Sequence, residues 1–194
     1  SAFAIVAFRC AWVTDDAYIT FRTVDNLIHG YGLTWNTADR VQTYTHPLWL
    51  LLFASVYFFT HEAFYSSIFL SLFVSIAGFS IFVFGLTSNF KSALLGALLL
   101  TSSKAFVDYS TSGLENPLSH LILALFLYFY FRRSRSRSTL VPLSLLASLG
   151  ALARLDLLLV FFPCLVHAFL ASPKCDRKPA LIAGVLPLMF WEFF

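Results

Sequence analysis

Of 194 residues, 59% are hydrophobic and 12% are charged, whereas soluble domains carry about 25% charged residues. The mean hydropathy is +0.78, and the 23 Phe residues bring more apolar surface than a core of this size hides from water. An ordinary soluble globule is excluded, and lipid is the natural solvent for most of the chain. The formal net charge is +3, with the cations concentrated in two short runs. These read as topology signals beside membrane segments rather than as a nucleic-acid surface, so no nucleic-acid partner is expected.

Apolar segments run over 1–13, 47–59, 64–86, 93–107, 117–131, 140–153, 157–171 and 180–194, the last interrupted by Pro187. Together they predict an all-α, polytopic helical membrane protein of about seven or eight apolar helices. Only 64–86 has the roughly 20 residues needed to cross a hydrocarbon layer; the others reach roughly 20–24 Å and must tilt, thin the bilayer or stop short. Both ends fall inside apolar runs, so 1–194 reads as the N-terminal part of a single membrane domain. A cleaved signal peptide is the alternative for the first segment, but no small-residue cleavage site precedes Thr14, Asp15 and Asp16. Cys10, Cys164 and Cys175 form no regular set and read as packing residues.

Arg132, Arg133, Arg135 and Arg137 make one cationic loop and Lys174, Arg177 and Lys178 another, which places both loops in the cytoplasm. The polar stretch 14–46 has no cationic excess and belongs on the opposite face. Four apolar segments separate that stretch from the Arg132 loop, and four full crossings would return the chain to the outside. One segment therefore does not span, with 47–59 or 93–107 the candidates. The hairpin 140–171 then turns outside at Arg154-Leu155-Asp156. Asp15/Asp16, Glu115 and Arg154/Asp156 converge on one face. Within 14–46, Ala17, Phe21, Val24 and Ile28 form an apolar stripe ending before Gly30, which predicts an amphipathic helix lying on the membrane surface.

Asp15 and Asp16 stand at the water boundary, where one carboxylate can be partly desolvated. Adjacent carboxylates oppose each other's ionisation, which suits a general base. The competing reading is a helix start, with Thr14 or Asp15 as N-cap. Glu115 precedes a helix that opens with Pro; it is either a helix-start acid or a second carboxylate for acceptor hydroxyls. Arg154 between two apolar helices needs a partner, either Asp156 or a phosphate. Arg22, Tyr44 and His46 complete the candidate substrate-binding set. His120 and His167 lie at no metal-ligand spacing, so no metal is assigned and no cofactor is expected, with a divalent ion left open.

The run Asp15-Asp16-Ala17-Tyr18-Ile19-Thr20-Phe21-Arg22, the stretch from Gly30 to Asn36, and Arg40-Val41-Gln42-Thr43-Tyr44-Thr45-His46-Pro47-Leu48-Trp49 resemble the GT-C superfamily of polytopic glycosyltransferases. The nearest branch is that of the mycobacterial terminal β-arabinofuranosyltransferases; protein O-mannosyltransferases and the lipid A aminoarabinose transferase are more distant. Gly113-Leu114-Glu115-Asn116-Pro117-Leu118 is similar to a Gly-Leu-Glu-Thr-Pro-Leu stretch of that branch, and Arg154-Leu155-Asp156 is weakly similar to an Arg-Pro-acid stretch. Gln42 stands where the branch usually has Glu, Thr43 where it has Gly, and Leu155 where it has Pro.

The resemblance implies a polyprenyl-phosphate sugar as donor, a glycan, lipid or protein hydroxyl as acceptor, and Asp15 or Asp16 as base of an inverting transfer. It also implies a multi-pass protein of the bacterial inner membrane, working on the periplasmic face in cell-envelope synthesis, with arabinofuranose as the candidate sugar. A non-enzymatic transporter or flippase subunit is the alternative, and it predicts internal repetition that these segments lack.

Overall fold

The computed structural model describes residues 2–38, 41–131 and 139–192. Among them the chain is helical throughout, with no strand: α1 (Ala2–Arg9), α2 (Asp15–Ile28), α3 (Pro47–Thr60), α4 (Phe64–Ser80) with a π-helical turn at Ile81–Gly85, α5 (Phe90–Ser102), α6 (Lys104–Asp108), α7 (Asn116–Phe131), α8 (Leu140–Ala153), α9 (Leu157–Leu170) and α10 (Lys174–Glu192). The all-α expectation holds. Phe64–Gly85, 22 residues, is the one helix among the described residues long and apolar enough to cross a membrane.

Three differences from the sequence reading have local causes. Segment 93–107 is broken at Ser103, which ends α5 in an extended conformation while its hydroxyl accepts from Phe106 N–H to start α6. α10 begins at Lys174, so the second basic run is the first turns of a helix and not a loop. Cations at a helix N-terminus oppose its dipole; here Arg177 lies 4.7 Å over the Phe169 ring and donates to the Ser172 carbonyl. α10 also passes through Pro187 without ending. The run Arg132, Arg133, Arg135 and Arg137 lies outside the described residues, as do Asp39 and Arg40.

α4 and α7 run in parallel and in close contact. A Cβ on Gly78 would come within 3.2 Å of the Leu121 backbone, and one on Gly85 within 3.0 Å of the Tyr128 ring. Ser67, Ser71 and Ser75 continue the small-residue stripe of α4, all buried, the pattern by which apolar helices approach when no hydrophobic drive separates protein from lipid. α1 opposes α4 in direction, with Phe3 stacked on Phe79 at 4.5 Å and Phe8 on Phe69 at 6.4 Å. α9 follows α7, with Phe161 on Phe126 at 4.2 Å and Tyr130 Oη 3.0 Å from His167 Nδ1. α8 returns between them, and a Cβ on Gly150 would collide with Phe161 at 2.5 Å.

These directions bring one set of connections to one end of the bundle. Trp12 Nε1 donates to the Asp108 carbonyl (2.9 Å), Thr14 N–H to the Ser112 carbonyl (3.0 Å) and Trp49 Nε1 to the Gly113 carbonyl (3.0 Å), and the 154–156 turn joins them. The convergence expected from charge placement is therefore present in the fold.

α3 packs against α2, α4 and α8. It follows α2, with Phe21 against Phe53 at 4.9 Å and Tyr57 Oη donating to Asp25 at 2.7 Å. This packing corrects the surface-helix expectation: Ala17, Phe21 and Val24 pack with Leu50, Phe53 and Ala54, so α3 covers the stripe assigned to lipid. α2 ends as its sequence predicts, in a Schellman turn. Gly30 (φ 83°) donates to Leu27 and Tyr31 to Asn26, the double bond that a glycine in the left-handed region permits.

Candidate functional site

The site is built around the connection between α6 and α7. Ser110, Thr111 and Ser112 are fully buried, and Gly113 takes φ +80° where a Cβ would sit 2.9 Å from Ala17 Cβ. A side chain there would force the connection off α2. Because glycine permits the approach, Glu115 and Asn116, two and three residues on, are delivered at the start of α7, beside the beginnings of α2 and α3.

His46 is 8% exposed and links the pieces. Its Nε2 lies 3.0 Å from Thr20 Oγ1, and its Nδ1 lies 3.4 Å from Glu115 Oε2. The other carboxylate oxygen, Oε1, is 3.6 Å from Arg154 Nη1. Arg154 grips Asp156 with two parallel bonds, Nε to Oδ1 and Nη2 to Oδ2, both 3.1 Å, and donates from Nη1 to Asn116 Oδ1 at 3.2 Å. Burial lowers the His46 pKa from its ordinary 6.5; the Glu115 charge pulls it back up and Arg154 adds a smaller downward push. A neutral ring has one donor and one acceptor nitrogen. A carboxylate 3.4 Å from Nδ1 favours the proton on Nδ1, in which case Nε2 accepts from Thr20.

An open cleft of about 820 Å³ lies over this cluster, lined by Gln42, Thr43, Tyr44, Thr45, Glu115 and the 153–156 turn. Tyr44 meets Trp191 edge-on at 5.7 Å, and burial raises its pKa. Across Asn116 is a second hollow of about 410 Å³ between α4, α5, α6 and α7, walled by Phe79, Phe82, Leu100 and Leu123. His120 Nδ1, on that wall, has no hydrogen-bond partner among the described residues.

The structure thus gathers Glu115, Arg154, Asp156, Tyr44 and His46, five of the residues singled out by sequence. Asp15 and Asp16 begin α2 beside this cluster but outside the cleft lining, and both are exposed, so the partial desolvation expected of one is absent. Asp15 Oδ1 accepts from Thr14 Oγ1 (3.0 Å) and from Asp16 N–H (3.2 Å). Asp16 stands one turn before Thr20 and two before Thr23, which meets Thr43 Oγ1 at 3.1 Å, so it belongs to the stripe of α2 turned toward 43–46. Arg22 is exposed on the opposite flank of α2 and is not brought to the cleft.

Thr20 and Asn116 were not singled out by sequence. The i, i+4 spacing from Asp16 was the signal for Thr20. Among the described residues no group of three His, Cys, Asp or Glu side chains is gathered for a metal ion.

The chain is similar to the terminal beta-(1->2)-arabinofuranosyltransferase of Mycobacterium tuberculosis, 25% identical over 202 aligned residues that cover 94% of this chain and 32% of the relative. It spans about a third of the length of the curated relative it matches. No protein-family profile matches, and no solved structure matches. The similarity relates the chain distantly to a glycosyltransferase.

Proposed function

We propose that the chain is the site-bearing part of a GT-C-type membrane glycosyltransferase that moves a sugar, arabinofuranose being the first candidate, from a polyprenyl-phosphate donor to an acceptor hydroxyl. The observation that carries the reading is the meeting of Glu115, His46 and Arg154 at one end of the bundle, beside the start of α2. The distant glycosyltransferase relative supports it. Exposed Phe59, Phe73, Phe84, Phe90 and Leu159 support a lipid-facing outer surface, since soluble monomers avoid large apolar patches. The topology that follows has the cleft on the periplasmic face of the inner membrane, with α3 on that side.

In this mechanism the acceptor sits in the polar cleft against Glu115. Asp16 takes the hydroxyl proton, while Asp15 is occupied with Thr14 and the Asp16 N–H. The oxygen then attacks the anomeric carbon from the face opposite the phosphate. The bond from that carbon to the phosphate oxygen breaks, and its electron pair leaves with the polyprenyl phosphate, inverting the centre.

Arg154 neutralises the charge growing on the phosphate, the step where a fixed cation lowers the barrier most. Its exposed pair with Asp156 is weak, as surface ion pairs contribute about 0–1 kcal/mol, so it yields to a phosphate. The hollow between α4 and α7 takes the first apolar units of the lipid, and His120 Nδ1 offers a hydrogen bond to its head group.

The test is transfer of labelled sugar in membranes containing the protein, comparing wild type with Asp15→Asn and Asp16→Asn at matched insertion. Asp16→Asn is expected to lose about 10²–10⁴-fold in rate and Asp15→Asn less. Wild-type rates in both variants would remove the base from this pair.

A further inference from the structure

Glu115 is the one acid among the described residues within reach of both an imidazole and a guanidinium, and its side chain is 13% exposed. A carboxylate has about four lone-pair directions. Oε2 faces His46 Nδ1 at 3.4 Å and Oε1 faces Arg154 Nη1 at 3.6 Å. Those left over are available to hydroxyls in the cleft that Glu115 lines.

We infer that His46 is a positioning residue: by donating from Nδ1 it fixes the orientation of the Glu115 carboxylate, and Thr20, by donating to Nε2, fixes the tautomer that makes this possible. The ligand class is a polyhydroxylated acceptor held by the remaining lone pairs of Glu115. This rests on the transferase reading for the identity of the ligand, but not for the geometry.

The charged and titratable groups that face His46 are Glu115 and Arg154, with Asp156 behind Arg154 and Tyr44 on the same cleft wall. Arg154 is already gripped by Asp156 and Asn116, so it cannot by itself hold Glu115 against rotation. Without His46, Oε2 would be free to turn toward Arg154 and close the acceptor's half of the cleft. The arrangement also explains a buried threonine within α2. Thr20 is 2% exposed, and its hydroxyl finds the imidazole nitrogen that can only accept.

Two substitutions separate this role from space filling. The amide nitrogen of His46→Asn falls near the position of Nδ1 and keeps a donor for Glu115, whereas His46→Gln reaches toward Thr20 and leaves Glu115 without one. Transfer is measured in membranes with a radiolabelled synthetic farnesyl-phosphoryl arabinofuranose donor and an octyl arabinofuranoside acceptor. His46→Gln is expected to raise the acceptor KM about tenfold or more with a smaller change in kcat, the worth of a hydrogen bond to a charged group. His46→Asn is expected to stay within about threefold of wild type. Equal KM values for the two variants would overturn the inference.

An arm independent of activity uses nitrogen NMR of histidine-labelled protein in lipid, with the His46 signals assigned by their loss in His46→Asn. A neutral ring protonated on Nδ1 at neutral pH, and loss of that preference in Thr20→Val, is the expected result. An Nε2–H ring or an imidazolium overturns the inference. Were the wild type to transfer no sugar, the transferase reading would fail, and the tautomer measurement would still decide the positioning role.

Discussion

The two hollows are opposite in character although neighbouring residues line them, Glu115 the one and Asn116 the other. The cleft over Glu115 is open and lined by threonines, Tyr44, an arginine and two acids. The hollow between α4 and α7 is closed in by phenylalanines and leucines, with one unpaired imidazole nitrogen. A ligand polar throughout would leave the second hollow empty, and a purely apolar one would strand the charges of the first. The pair is suited to an amphiphile whose junction lies where Arg154, lining the first, donates to Asn116, lining the second, at 3.2 Å.

The sharpest way to break this comparison is at the Arg154–Asn116 contact between them. Arg154→Met keeps much of the aliphatic stem but removes the cation, leaving Asp156 without its partner and Glu115 with His46 alone. A loss of about 10²–10³-fold in kcat is expected, measured as transfer with saturating donor; a change confined to donor KM would show that Arg154 binds the ground state only.

Next comes the glycine that delivers both Glu115 and Asn116. Gly113→Ala places a Cβ at φ +80° and 2.9 Å from Ala17 Cβ. It should cost about 1–3 kcal/mol, seen as a lower unfolding midpoint in detergent; an unchanged midpoint would mean that the connection shifts without cost.

A third substitution addresses the apolar side alone. Ala105, at the exposed margin of that hollow, becomes a plug in Ala105→Phe. Donor KM should rise about tenfold, from lost burial of one or two methylenes, with acceptor KM unmoved. A rise in acceptor KM instead would exchange the two assignments.

The smallest effect is on pH. Because His46 is harder to protonate in the folded protein than in the unfolded chain, its contribution to stability is intact above 6.5. It is lost as pH falls from there through the lower native value, since the unfolded state then binds the extra proton. Unfolding midpoints should drop on the acid side by a few degrees, and His46→Asn should flatten that part of the profile. A drop of the same size in the variant would assign it elsewhere.

Much of the helical layout was legible because apolar runs end where charge or glycine begins. The runs 140–153 and 117–131 reappear as helices with ends shifted by no more than a residue. The break in 93–107 falls in the polar run Thr101-Ser102-Ser103-Lys104, whose capping role shows only once the Ser103 hydroxyl is seen to accept from Phe106 N–H. The helical start of α10 was hidden by its cations, whose compensation by Phe169 and the Ser172 carbonyl is tertiary.

At the site, Glu115, Arg154 and Asp156 could be placed together from topology, because each interrupts an apolar run at the same end. Thr20 and Asn116 could not, since their partners lie 26 and 38 residues away and neither disturbs the pattern around it. The amphipathic stripe of α2 was read correctly as a stripe but given to the wrong neighbour: periodicity tells which face is apolar and not what covers it.

Pro47 follows His46 and opens α3. A proline ring excludes helical backbone angles for the residue before it, so His46 is denied them even in the unfolded chain. Part of the ordering entropy of the imidazole is thereby spent before folding begins. A change at Pro47, which lines neither hollow, would loosen the grip on Glu115 from outside, and the cleft would lose selectivity without losing a single one of its lining side chains.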